Sequence, residues 1–225
     1  MNKLSFFIVE LTLLLSLLII PLERIIVKET SSLINYSVVI DPGHGGKDNG
    51  CTSSNICEDA LNLTISLLLY EELISKGFIA YLTRDGDYDL ASENATNRKR
   101  EDLRNRVSII NSFQQKLLIS IHMNSYQNEK VYAPMVYYKD EESSKKLASK
   151  VQSRLNALTS LNKISHSEDF YLFRNTNCLA LLIECGFLSN NKEQEKLNDL
   201  SYQCLLVKSI SEGIIEYFIN NKNND

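Results

Sequence analysis

The chain has 225 residues, with 24 Lys and Arg against 28 Asp and Glu for a net charge of −4; 44% of residues are hydrophobic and 23% charged. Such values fit one globular domain with a sizeable core and exclude collagen-like, Pro-rich disordered and disulfide-stapled miniprotein classes, because only eight Gly, three Pro and five Cys are present. With no polybasic signature, nucleic acid is not expected as a partner.

Leu4 to Ile20 reads LSFFIVELTLLLSLLII and is ended by Pro21. At about 1.5 Å per residue it just spans a hydrocarbon core of about 30 Å. Glu10 within it costs about 2.5–3.5 kcal/mol on insertion scales, which the surrounding apolar residues offset. The following IIPLERIIVKETSS has no A-x-A-like cleavage pattern. The segment is therefore expected to be an uncleaved signal anchor over 1–20, giving the protein a membrane partner and a domain outside the cytoplasm. Residues 21–35 read as a connector, and 36–225 as the folded domain.

Ser37–Ile40 (SVVI) predicts a buried strand, followed by the glycine-rich DPGHGGKDNG. Leu61, Ile65, Leu68, Leu69 and Leu73 fall at helical spacing, so a helix is expected from about 59 to 76, closed by Gly77. Phe78–Thr83 reads as a strand and Arg84–Arg100 as a polar surface loop. A helix carrying Leu103, Val107 and Ile110 leads into a strand at Leu117–Ile121 (LLISI). Then come a strand around 131–138, a charged helix around 141–158, a strand at Leu179–Ile183 (LALLI) and an amphipathic helix over about 201–219. Strands alternating with helices, several of them apolar throughout, predict an α/β fold with a mainly parallel or mixed sheet.

Three of the apolar strands run into residues that bind metal or move protons. SVVI leads to His44, LLISI directly to His122, and LALLI directly to Glu184, while Glu58 sits at the start of the first helix. Catalytic groups gather beyond the carboxyl ends of strands in open α/β sheets. Two imidazoles and a carboxylate make an open zinc site, and a second carboxylate can shuttle a proton to a leaving amine. Plainer readings stand beside this one. Glu58 also fits a capping box with Asn55, and Glu184 fits a strand emerging into solvent. The glycines at 43, 45, 46 and 50 lack the G-K-[ST] of a phosphate loop, which excludes a nucleotide. His166 lies in a polar stretch and reads as structural. Arg84 and Arg106 read as ion-pairing residues, and the Arg/Lys cluster at 98–106 as a solvated helix face. Asp41 or a backbone carbonyl is a candidate to orient an imidazole. Cys57 is an alternative zinc ligand, and a Cys51–Cys57 disulfide is open to consideration.

VVIDPGHGGKDNG, Glu58, SIHMNS and LLIECGFLSN resemble, in order, the motifs of the zinc-dependent N-acetylmuramoyl-L-alanine amidases, the Amidase_3 family, over about residues 37–220. The resemblance implies a mixed sheet of about six strands flanked by helices, zinc (Zn2+) held by His44, Glu58 and His122, and Glu184 as catalytic acid/base. The implied substrate is peptidoglycan, cut between muramic acid and the first L-alanine of the stem peptide. Within the family the chain is most similar to the short, anchored, germination-specific CwlD-like amidases of spore formers, through its N-terminal anchor, its lack of wall-binding repeats and the segment DGDYDLASENATNRKREDLRNRV. That implies work on spore cortex on the route to muramic-δ-lactam, in the space between forespore and mother cell, and leaves room for an activator protein. A vegetative autolysin, a non-catalytic peptidoglycan-binding module and a zinc peptidase or deacetylase are the alternatives. Leu179 stands where the family usually has Pro, and Cys185 where Val is common; neither alters the four polar side chains.

Overall fold

The computed structural model describes residues 36–113 and 116–222. The expected anchor and connector lie outside them, and among the described residues no helix is long and apolar enough to cross a membrane.

The elements follow the chain as strand β1 (Ser37–Pro42), the small pair β2 (Thr52–Ser53) and β3 (Ile56–Cys57), helix α1 (Glu58–Ser75), β4 (Ile79–Leu82), α2 (Arg98–Ser112), β5 (Leu117–Asn124), β6 (Met135–Tyr138), α3 (Glu142–Thr159), β7 (His166–Ser167), α4 (Tyr171–Asn175), β8 (Leu179–Phe187), α5 (Asn191–Leu197) and α6 (Leu200–Lys222). Six strands form one sheet in the order β4-β1-β5-β8-β6-β7. All its neighbours are parallel except β6 against β8. The mixed α/β sheet expected from the sequence is present.

The apolar strands are apolar on both faces because both faces are covered. Val38, Ile40, Ile119, Ile121, Leu181 and Ile183 point to one side, where they meet Leu61, Ile65, Leu69 and Leu73 of α1, Val151 of α3 and Ile210 and Ile214 of α6. Their alternating neighbours Val39, Leu118, Ala180 and Leu182 point to the other, against Ile110 of α2 and Leu172 and Phe173 of α4. Strand period two thus sorts one run of residues into two cores.

α1 starts one residue earlier than predicted and ends at Ser75, after which Gly77 takes φ 90 and its N–H bonds the Ile74 carbonyl. The capping box does not form. Cys57 is the N-cap and makes no side-chain cap bond. The strand expected from about 131 begins only at Met135. Pro134 has no N–H to give a ladder, and Ala133 before it sits at φ 121 with its N–H on Glu193 Oε2. β8 runs four residues past its predicted end, which carries Glu184 within the strand.

Candidate active site

β1, β5 and β8 are parallel neighbours, so their carboxyl ends meet at one edge of the sheet. His122 and Glu184 are partners in register across β5 and β8. The turn after β1 brings in His44, and the first residue of α1 brings in Glu58. The turn depends on glycine. A Cβ on Gly43 would collide with Cε1 of the His122 ring, and one on Gly50, at φ 65, would lie 2.5 Å from Glu58 Oε2.

Glu58 Oε1 lies 3.2 Å from His44 Nε2 and 3.0 Å from His122 Nδ1. It also accepts from Met123 N–H at 3.2 Å and Asn62 Nδ2 at 3.3 Å, while Oε2 accepts from Cys51 N–H at 2.9 Å. His44 Nδ1 lies 2.9 Å from Asp48 Oδ2, an arrangement that holds one ring nitrogen and leaves Nε2 facing Glu58. Burial acts to raise the Glu58 carboxyl, but hydrogen bonds from His122 and His44 outweigh it and hold the group well below the usual carboxylate range. For His44, burial works downward and is outweighed by Glu58 and then Asp48, leaving the imidazole at about 9.

Two imidazoles and one ionised carboxylate, each offering an atom within 4.8 Å of the others, fit a divalent metal of the zinc type. His44 and His122 line a cavity of about 270 Å³, which Glu184 also lines, with Phe170 and Tyr171 in its wall. Glu184 sits here with its Oε2 buried and without a hydrogen-bond partner. Burial, reinforced by the negative charge of Glu58 and countered by His122 and His44, raises its carboxyl to about 7. A carboxylate poised near neutrality beside a metal-ligand set is suited to accept and return a proton.

The structure thus brings together all four residues singled out in the sequence, and it corrects several neighbours. Asp41 orients no imidazole; it accepts from Thr83 Oγ1 at 2.6 Å, Ser120 Oγ at 2.8 Å and Arg106 Nη1 at 2.8 Å. Arg106 is buried in ion pairs with Asp41 and Asp102, so the cluster at 98–106 is not solvated throughout. Arg84 is equally buried, and it donates to backbone carbonyls in place of the ion pair expected of it. Cys51 and Cys57 are free thiols, outside the metal-ligand group. Burial and Glu58 push the Cys51 thiol up to about 12. His166 is exposed on β7, away from the cavity lining. Sequence reasoning missed Asp48 and Asn62. Asn62 stands four residues after Glu58 on α1, a spacing that places both on one helix face.

The sequence matches the family described as N-acetylmuramoyl-L-alanine amidase, Amidase_3, over residues 38–216. The chain belongs to the Amidase_3 family. This Amidase_3 chain is an enzyme that hydrolyses the bond between N-acetylmuramic acid and L-alanine of peptidoglycan. It is 35% identical over 187 residues to the germination-specific N-acetylmuramoyl-L-alanine amidase of Bacillus subtilis, covering 80% of this chain and 79% of that one. Its fold is similar to the CwlD amidase of Clostridioides difficile, solved in complex with the GerS lipoprotein, with a TM-score of 0.79, 36% identity, and coverage of 83% of this chain and 100% of that one. An N-acetylmuramoyl-L-alanine amidase from Clostridium difficile 630 matches with a TM-score of 0.73 and 31% identity over 83% of this chain and 98% of that one.

Proposed function

We propose that this amidase is zinc-dependent, that His44, Glu58 and His122 hold the metal, and that Glu184 is its catalytic acid/base. The convergence of His44, Glu58 and His122 within 4.8 Å, beside the cavity that His44, His122 and Glu184 line, carries the reading. Zinc, when bound, supplies a Lewis acid that polarises the scissile carbonyl and acidifies water. Glu184, a carboxylate whose Oε2 is buried without a hydrogen-bond partner, takes the proton of the attacking water. The water oxygen bonds to the lactyl carbonyl carbon, the carbon–nitrogen bond breaks, and Glu184 returns the proton to the alanine nitrogen. That return is required because an amine anion is too basic to leave unaided. Asp48 fixes the His44 ring, while Asn62 and the Met123 and Cys51 amides fix the Glu58 carboxylate.

Within peptidoglycan we assign the enzyme to spore cortex on the route to muramic-δ-lactam. The support is the likeness to the germination-specific amidase of B. subtilis and to CwlD. The hydrophobic segment 4–20 is assigned as a membrane anchor that places the catalytic domain outside the cytoplasm. A lipoprotein of the kind bound by the C. difficile relative is the partner we assign. The test is digestion of cortex peptidoglycan by the full chain, with Glu184→Gln beside it. New L-alanine amino termini on still-acetylated sugar are expected from the wild type, with a loss of about 10²–10⁴-fold in the variant. Equal release by both proteins would remove Glu184 from the reaction.

A further inference from the structure

The carbonyls of three consecutive residues, Pro42, Gly43 and His44, all turn toward buried side-chain donors. Arg106, 2% exposed, gives Nη1 to Pro42 O at 2.7 Å and Nη2 to His44 O at 2.5 Å. The rest of its fork is engaged as well, with Nη1 on Asp41 Oδ1 at 2.8 Å and Nε on Asp102 Oδ2 at 2.7 Å. Arg84, 1% exposed, gives Nε to Pro42 O at 3.0 Å and Nη2 to Gly43 O at 2.9 Å. Asn62 Nδ2 adds a third donor to the segment, bonding Gly43 O at 3.1 Å.

This density of donors serves a segment that would not keep its shape unaided. His44 sits at φ 59, in the left-handed region that a residue with a Cβ avoids. Beyond it the loop ties to itself through reciprocal Gly45–Asp48 backbone bonds, which return Asp48 to the His44 ring. The ring is thus held from its side chain by Asp48. Its backbone is held at the carbonyl by Arg106, which is itself anchored between β1 through Asp41 and α2 through Asp102.

We propose that Arg106 is a positioning residue of the metal site, which keeps His44 in its strained, ligand-presenting conformation by holding the carbonyls of Pro42 and His44. The inference rests on zinc being held by His44, Glu58 and His122. A purely structural role would be met by the ion pairs to Asp41 and Asp102 alone. The two carbonyl bonds aim at the turn that carries His44, and they use a planar, forked donor that a lysine ammonium does not reproduce.

The test is the zinc affinity of the folded full chain, read by chelator competition well below its unfolding temperature, for wild type, Arg106→Lys, Asp102→Asn and His44→Ala. Zinc binding 10- to 100-fold weaker in a folded Arg106→Lys protein is expected, the range typical when a group that orients a ligand is lost. Asp102→Asn removes one anchor of the guanidinium and leaves its buried pair with Asp41. It is expected to weaken zinc about 3- to 10-fold, and it carries the test alone if Arg106→Lys does not fold. Wild-type affinity in the folded variants, with only the unfolding temperature lowered, would overturn the proposal and leave the zinc reading standing. Undiminished binding by His44→Ala would overturn both.

Discussion

Glu184 shows how much a single buried carboxyl decides. Burial raises it to about 7, so in the fold it is largely protonated below that pH and ionised above it. A base must be ionised to accept a proton, so kcat/KM is expected to fall on the acid side as Glu184 protonates; Glu184→Gln should abolish that limb. The same shift bears on stability with the opposite sense to a salt-bridged acid. A carboxyl raised in the fold above its unfolded value of 4.5 leaves the folded state penalised once pH rises through the window from 4.5 to about 7. After chelator treatment, Glu184→Gln is therefore expected to be more stable than wild type at pH 8, by up to about 3 kcal/mol. The gain should vanish as pH falls toward 4.5, and denaturant titration at two pH values reads it. Asp41 behaves in the reverse way. Burial acts to raise it, but the Arg106 charge and bonds from Thr83, Arg106 and Ser120 outweigh this, so its contribution is lost only in acid. At this scale the chemistry-bearing residues were legible, because each of His44, His122 and Glu184 follows an apolar strand. Of Arg106 only the ion pairing was legible, and Asp48 and Arg84 were not, since these remaining roles come from contacts with backbone carbonyls or a ring that the local pattern does not announce.

Among the elements, the crossing of α3 and α6 is set by Gly213. A Cβ there would lie 2.6 Å from Val151 Cα and 2.9 Å from Val151 N, both backbone atoms unable to swing aside. On an exposed helix Gly→Ala gains about 1 kcal/mol, but the clash outweighs propensity here. Gly213→Ala is expected to destabilise by about 1–3 kcal/mol, measured by thermal unfolding, while the cavity residues keep their places. The periodic elements were readable because burial imposes their period. α1 shows Leu61, Ile65, Leu69 and Leu73 on one face, and β5 is apolar because both sides of the sheet are covered. The short elements β2, β3, β7, α4 and α5 escaped, being too brief to show a period. α4 matters nonetheless, since Tyr171, Leu172 and Phe173 line the cavity.

For the molecule as a whole, the net charge of −4 and an unremarkable composition say nothing of wall chemistry. Function emerges from sheet order, which sets β1, β5 and β8 side by side and so gathers residues far apart in sequence at one edge. That order is not written in any local pattern. The family motifs imply a mixed six-stranded sheet without giving its order, and the membership over residues 38–216 agrees with the folded unit. The proposed zinc site takes His44, Glu58 and His122, with Glu184 beside it as the proposed base. Zinc per chain, measured on purified wild type, His122→Ala and Glu184→Gln, tests it most directly. One zinc is expected in the wild type, close to none in His122→Ala, and one in a Glu184→Gln protein whose release of L-alanine termini falls about 10²–10⁴-fold. A full complement of zinc in His122→Ala, or its loss in Glu184→Gln, would contradict it.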